Sequence, residues 1–377
     1  MPTTSPKPHY VSLDALRGVA ALIVLLYHVY ECFDQSQSPV PHGYLAVDFF
    51  FILSGFVIGY AYDDRWSQGL STKTFFLRRL IRLHPMVIAG AIVGAVAFLV
   101  GGSLRWDGVE VSPVWTMLAM FCGMLLIPAL PGSRIDVRGN GEMFPLNGPS
   151  WSLFFEYIGN IIYALLLRRL PTRWLAALTV ALGALLTGIA LHDGALGVGW
   201  TMNEGGMWTG LVRMLFPYCV GMLLARKSLG KHLKNEEKGT MSIRKFFFSA
   251  ALLIILIACV PQIKVGWLNG VFEVTCIITV FPLIVFMGSH TAAMPTENSA
   301  MGTKSMKWLG DISYPLYAVH YPFMYLFYVP IIGGSVTSIG EVWQQALLTA
   351  GMSILTALLL MFFYERPLRK WLTKKLA

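Results

Sequence analysis

Charge is scarce in this chain of 377 residues: only 13% are Asp, Glu, Lys or Arg, while 55% are hydrophobic and the mean hydropathy is +0.61. A water-soluble core cannot absorb that much apolar surface, which excludes an ordinary soluble domain. Acidic residues are the scarcer sign, 20 against 29 Lys and Arg, leaving a net charge of +9. That excess is not laid out as a nucleic-acid surface; it gathers at the ends of apolar segments, as cytoplasmic anchors do. Cysteine is sparse too. Cys32, Cys122, Cys219, Cys259 and Cys276 are scattered, with no CxxC pair and no spacing that builds a metal site, so they read as small buried hydrophobes. Long polar breaks, low-complexity tracts and internal repeats are missing as well. The expectation is one continuous helical bundle over 1–377, with its first apolar segment retained as a true span.

Apolar windows near spanning length fall at about 13–30, 45–61, 86–100, 151–167, 174–191, 207–225, 246–260, 270–287, 312–331 and 346–363. The fold class expected is therefore an all-α polytopic membrane protein, a bundle of about ten transmembrane helices. A further window at 113–130 is ambiguous, and the positive-inside rule arbitrates. The basic clusters around Arg65 and Arg78, Arg168 and Arg169, Arg226 to Lys245, and Arg366 to Lys375 all belong on the cytoplasmic side, with Lys7 and the N-terminus. If 113–130 crossed fully, the Arg168 cluster would land outside. The segment is expected to be re-entrant or interfacial, with both termini cytoplasmic and external loops at 101–113, 129–150, 192–206 and 333–345.

An ionisable group inside a span needs a partner or a task. Arg17 and His28 are eleven positions apart, which is about 1100° of helical rotation and a rise of about 16 Å, so both lie on one stripe. That stripe suits a donor such as coenzyme A, its phosphates held by Arg17 and its long arm presenting a thioester near His28. Another reading is that Arg17 snorkels and pairs with Asp14 at i,i+3, while His28 is an interhelical hydrogen-bonding histidine. Asp48 and Glu156 enter their spans from the opposite side at depths close to that of His28. A carboxylate there would fix the imidazole tautomer, unless both acids only cap helix starts. Arg78, Arg79 and Arg82 share helical faces at i,i+3 and i,i+4, as a topology signal or a phosphate fork. His320 is either a second site residue or a buried structural histidine.

Six pieces in chain order carry a resemblance: Leu13 to Ala20 with Arg17 and His28; Val47 to Ile58 with Asp48, Ser54 and Gly55; Arg79 and Arg82 ahead of Pro85; Trp151, Ser152 and Glu156; Asp311 to Tyr317 with Ser313, Tyr314 and His320; and Glu365 with Pro367. Together they resemble the acyltransferase 3 family of bacterial inner-membrane proteins. The resemblance implies transfer of an acetyl or other short acyl group from acyl-CoA to a hydroxyl of a carbohydrate or glycoside. It implies acyl-CoA as co-substrate, with no permanently bound cofactor and no metal. Its partners are then acyl-CoA, the glycoside acceptor and the lipid bilayer, with no nucleic acid. The family's Arg and His of the first helix fall on Arg17 and His28, and its Arg-x-x-Arg on Arg79 and Arg82; the site expected from the residues has His28, oriented by Asp48 or Glu156, as general base, Arg17, Arg79 and Arg82 on the coenzyme's phosphates, and Trp151, Tyr314 and His320 on substrate. His84 before Pro85 and Arg366 between Glu365 and Pro367 are small departures from the pattern. Since the chain ends ten residues past Pro367, no appended extracytoplasmic domain is expected. The rival class is a polytopic transporter or flippase of an envelope glycan precursor, since buried charges also mark transport paths, although the repeats that many transporters carry are not visible.

Overall fold

A computed structural model of the chain describes residues 9–30, 38–203, 205–233, 242–291, 300–332 and 343–376. The expectations placed on Lys7, Cys32 and most of 333–345 lie outside the described residues. Twelve helices are described: α1 (Val11–Tyr30), α2 (Ala46–Tyr62), α3 (Thr72–Val100), α4 (Pro113–Met124), α5 (Ser150–Leu165), α6 (Thr172–Asp193), α7 (Gly206–Leu233), α8 (Ile243–Cys259), α9 (Gly266–Gly288), α10 (Ala300–Val319), α11 (Tyr321–Ile332) and α12 (Trp343–Leu376). The described residues contain no β-strand beyond two isolated bridges.

Eight of these helices, α1, α2, α3, α5, α6, α7, α9 and α12, are long and apolar enough to cross a membrane. The seventeen residues of α8 and the α10–α11 pair account for the other two windows. The window at 312–331 is one span in the sequence and two helices in the structure, divided at His320. Pro322 is the cause: it has no N–H for the carbonyl of Ala318, four residues back, and its ring crowds that carbonyl. The freed Ala318 oxygen accepts from Asn147 Nδ2 at 2.8 Å instead. At 12 residues, α4 is about 18 Å long and falls short of a hydrocarbon core of about 30 Å. It lies along α3.

The third helix starts well before its apolar window. Ser71 caps it, its hydroxyl accepting from the Thr74 backbone at 3.1 Å, so Arg79 and Arg82 ride on the same rigid element as the apolar run. Glycines set the closest helix contacts. Gly55 of α2 abuts the Tyr218 carbonyl of α7, and Gly221 of α7 abuts the Ile52 carbonyl of α2; a Cβ at either would collide with backbone. Gly18 brings α1 equally close to Leu309 of α10. The Gly90–Gly94 pair serves packing inside the bundle, against Ala318 and Leu146.

Ion pairs tie the helix ends together where the basic clusters lie. Asp63 accepts from Arg226 at 2.9 Å and from the Tyr163 hydroxyl at 2.7 Å, and Arg226 also donates to the Leu170 carbonyl, joining α2, α5, α7 and the start of α6. Arg366 of α12 reaches Asp311 of α10 at 2.7 Å.

Candidate active site

Three adjacent cavities run through the bundle from its arginine-rich end. The first, a mouth of about 890 Å³, is lined by His9, Asp14, Arg17, Arg82, Lys307, Asp311, Arg366 and Arg369 among others. It shares Arg17, Arg82, Leu83 and Tyr314 with a middle chamber of about 690 Å³, which adds Ser54, Arg79, Glu156 and Ser313. That chamber in turn shares Val47 and Tyr317 with an inner chamber of about 660 Å³, where His28 lies. Helix α10 runs beside all three: Tyr314 lines the mouth and the middle chamber, Tyr317 lines the middle and inner chambers, and His320 follows just past the helix's last residue. Tyr314 is anchored by its hydroxyl on the Leu83 carbonyl at 2.6 Å, and Tyr317 by Ser152 at 2.6 Å.

Near the mouth the guanidinium groups are partly spent. Arg17 pairs with Asp14 at 3.4 Å, as the anchor reading expected, and still lines both the mouth and the middle chamber. Arg79 donates to Glu156 at 2.8 Å, and Ser54 donates to the same oxygen at 2.9 Å. The Nε of Arg79 is buried without a hydrogen-bond partner among the described residues. No hydrogen bond or ion pair joins Arg82 to another described residue. A buried donor left without an acceptor, as at Arg79 Nε, is costly, and an anion in the middle chamber would satisfy it, with the exposed Arg82 guanidinium lining the same chamber.

His28 shares the inner chamber with Tyr27, Tyr44, Glu142, Trp151, Trp200, Arg213 and Tyr321. Its ring lies 5.2 Å from that of His320 and meets Tyr321 edge-on at 4.7 Å. His320 is buried at the break between α10 and α11. Its Nδ1 faces the carbonyl oxygens of Leu316 and Tyr317 at 3.1 and 2.9 Å, and only an N–H can satisfy two acceptors. The proton therefore sits on Nδ1, and Nε2 is a bare acceptor with no partner among the described residues.

The two carboxylates expected beside His28 have other partners. Asp48 is fully buried and takes Arg213 on both oxygens, from Nε at 3.0 Å and from Nη2 at 2.7 Å. Arg213 also donates to the carbonyls of Val198 and Tyr44. Glu156 is in the middle chamber with Arg79 rather than at the level of His28. The reason is distance along the helix: Glu156 is six residues into α5, about 9 Å of rise, whereas Asp48 is two residues into α2. Ser152, Leu153 and Glu156 form the α5 face toward the arginines, while Trp151 turns to the inner chamber. Of the proposed substrate residues, Trp151 and His320 thus stand by His28, and Tyr314 stands between the mouth and the middle chamber.

Two charged residues of the inner chamber escaped the sequence reading. Arg213 carried a usable signal, an ionisable group within an apolar window. Glu142 carried none, since it sits in a loop without periodicity.

Residues 10–364 match the acyltransferase domain family Acyl_transf_3. The chain is 36% identical to protein 2 in the picA locus of Rhizobium radiobacter, over 42% of this chain and 83% of that protein. It is 26% identical to the peptidoglycan O-acetyltransferase OatA of Listeria monocytogenes over 98% of its own length and 57% of the relative's, so it spans little more than half of that protein. It is also 31% identical to the acyltransferase MdmB of Streptomyces mycarofaciens, over 44% of this chain and 43% of that one. No solved structure matches. The family match covers the middle and inner chambers and the part of the mouth from Val11 to Pro315, and this chain belongs to the acyltransferase 3 family and is a multi-pass membrane acyltransferase.

Proposed function

We propose that this acyltransferase takes its acyl group from acyl-CoA and passes it to a hydroxyl of a carbohydrate or glycoside, with His28 as general base. The observation that carries the reading is the series of adjacent cavities leading from a mouth rich in guanidinium groups to a histidine about 16 Å further along the same helix. Arg17, Arg79 and Arg82 hold the phosphates of the coenzyme, for which a forked donor is better suited than a point charge. The acyl-bearing arm passes Tyr314 and Tyr317, and its thioester comes to rest beside His28. The acceptor occupies the inner chamber. We place the arginine-rich mouth on the cytoplasmic side of a bacterial inner membrane, with both termini on that side.

In the reaction, a nitrogen of His28 takes the proton of the acceptor hydroxyl as its oxygen attacks the thioester carbonyl. The C–S bond breaks, the thiolate leaves, and the imidazolium returns the proton to sulfur. The products are the ester and free coenzyme A. His320, buried with its ring 5.2 Å from that of His28, acts as a positioning residue for that ring. Asp48 acts through Arg213, and Glu156 through Arg79; both are positioning residues in this scheme.

His28→Ala is expected to abolish transfer of labelled acetyl groups from acetyl-CoA, while acetyl-CoA still binds to the purified protein in detergent. Retained turnover would remove His28 from the chemistry.

A further inference from the structure

Behind the inner chamber lies a buried polar cluster that the chemistry above does not use. His42, Asn269 and Glu273 are all buried, and none of them lines the chamber. His42 precedes α2; the other two stand one turn apart near the start of α9, against the ends of α6 and α8.

Asn269 settles the protonation of its neighbours. Its Oδ1 accepts from the Ile263 backbone N–H at 3.2 Å, and its Nδ2 donates to the Gly194 carbonyl at 3.0 Å and to Glu273 Oε1 at 2.6 Å. Turning the amide over would set donor against donor and oxygen against oxygen at these contacts, so only one orientation satisfies the network. The same Oδ1 lies 3.0 Å from His42 Nε2, and the Val260 carbonyl lies 2.8 Å from His42 Nδ1. Both partners are acceptors, so both ring nitrogens carry protons and His42 is an imidazolium. Its counter-charge is Glu273, 3.5 Å from Nε2, whose oxygens also accept from the Leu196 N–H at 2.5 Å and from the Tyr44 hydroxyl.

Tyr44 is the link to the chamber. It lines the cavity that holds His28, and its ring meets that of Tyr27, the neighbour of His28, edge-on at 5.5 Å. A buried ion pair contributes little stability over an apolar filling of the same volume, so the informative feature is what the pair holds in place.

We propose that Glu273 and His42 are positioning residues of the inner chamber: the imidazolium–carboxylate pair holds the Tyr44 ring in the chamber wall, and loss of the His42 proton releases it. The inference rests on reading the inner chamber as the acceptor site. A neutral His42 would turn a lone pair on one of its two acceptors and leave Glu273 buried without a counter-charge. The hold on Tyr44 then loosens, and acceptor affinity falls as pH rises. Around the cluster, Arg213 is held by Asp48, Tyr27 packs on Tyr44, Cys276 lies one turn further along α9, and Lys264 and the His192–Asp193 pair are exposed. Of these, only His192 is an imidazole that titrates in the same interval.

The test uses full-length protein in detergent. Isotope-labelled histidine NMR reads the protonation of each ring nitrogen between about pH 5 and 8, and comparison with His42→Gln picks out the His42 signal. Both of its nitrogens should carry protons at the acid end. Over the same series, KM is measured for acetyl-CoA and for methyl glucoside as acceptor probe. The methyl glucoside KM of wild type should rise with pH. Tyr44→Phe keeps the ring and removes its tie to Glu273; it should raise that KM by roughly fivefold at the acid end, the scale of one hydrogen bond, and flatten its pH dependence, with the acetyl-CoA KM as in wild type. Glu273→Gln should act in the same direction, and acetyl-CoA binding reports whether it folds; Tyr44→Phe decides if it does not. His192→Gln should match wild type. A neutral His42 ring at the acid end, or a Tyr44→Phe profile parallel to that of wild type, would overturn the proposal and leave the acyltransferase reading in place. If wild type shows no His28-dependent acetyl transfer to methyl glucoside, the acceptor reading falls and the proposal falls with it.

Discussion

The two ends of the cavity series treat arginine in opposite ways. In the middle chamber, Arg79 keeps a buried Nε–H without an acceptor among the described residues, and Arg82 has no described partner. In the inner chamber, Arg213 is engaged at every nitrogen by Asp48 and two carbonyls. Spare donors are what a polyanionic ligand needs, whereas spent donors make a rigid wall that a ligand does not see. The comparison teaches that a guanidinium in a membrane cavity is informative only once its partners are known. Substitutions at the two ends should therefore fail differently, one in folding and the other in donor binding.

The largest effect is expected at the spent end. Removing Asp48 leaves a buried charge uncompensated, so Asp48→Ala should cost about 3–5 kcal/mol of stability. Thermal unfolding in detergent measures it, and the double variant Asp48→Leu with Arg213→Met should recover most of the loss. A single variant as stable as wild type would mean that Arg213 is not a structural pin, and the contrast would collapse. Next come Arg79→Ala and Arg82→Ala. Each should raise the KM for acetyl-CoA by about 10–100-fold, the scale of a charged hydrogen bond, with the acceptor KM little changed. Lys at position 82 should restore part of the binding, since it keeps the charge and loses the fork. If instead the acceptor KM moved, the donor would enter from the other end.

A smaller change is expected at the partition between the chambers. Tyr317→Phe deletes the hydrogen bond to Ser152 and should cost about 1 kcal/mol, read as a several-fold fall in kcat with donor binding intact. An unchanged kcat would mean that the position of this ring does not matter to the passing arm.

Much of this architecture was legible in the sequence because it depends on length and period alone. A window of apolar residues long enough to cross lipid appears as such in any chain, and the stripe joining Arg17 to His28 follows from 3.6 residues per turn. The segment at 113–130 was an ambiguous window in the sequence, and it is the length of α4, twelve residues, that sets it apart from the eight long apolar helices. Depth was not legible for Glu156, where a few residues of rise separate the histidine chamber from the arginine chamber. The break at His320 had a signal in Pro322, which a hydropathy window smooths over. Glu142 is the opposite case: a loop residue acquires its place only when Tyr321 and Tyr325, nearly 180 positions away, fold against it.

The smallest expected effect sharpens the contrast through pH. His9 lies just before α1 and pairs with Asp14 at 2.8 Å; that hydrogen bond raises its pKa above the ordinary value of about 6.5. A raised value means that the pairing is fully present below about 6.5 and is lost as pH rises through the higher, folded-state value. His9 lines the mouth, so the mouth loses one positive charge over that interval. The KM for acetyl-CoA should rise with it, by no more than about threefold, because the side chain is 69% exposed and salt screens it. Comparing wild type with His9→Gln cancels the titration of the coenzyme's own phosphates, and the difference between the two profiles should vanish at high ionic strength. The acceptor KM should show no such difference, since the inner chamber does not include His9; a matching shift there would show that the two ends are electrostatically one site.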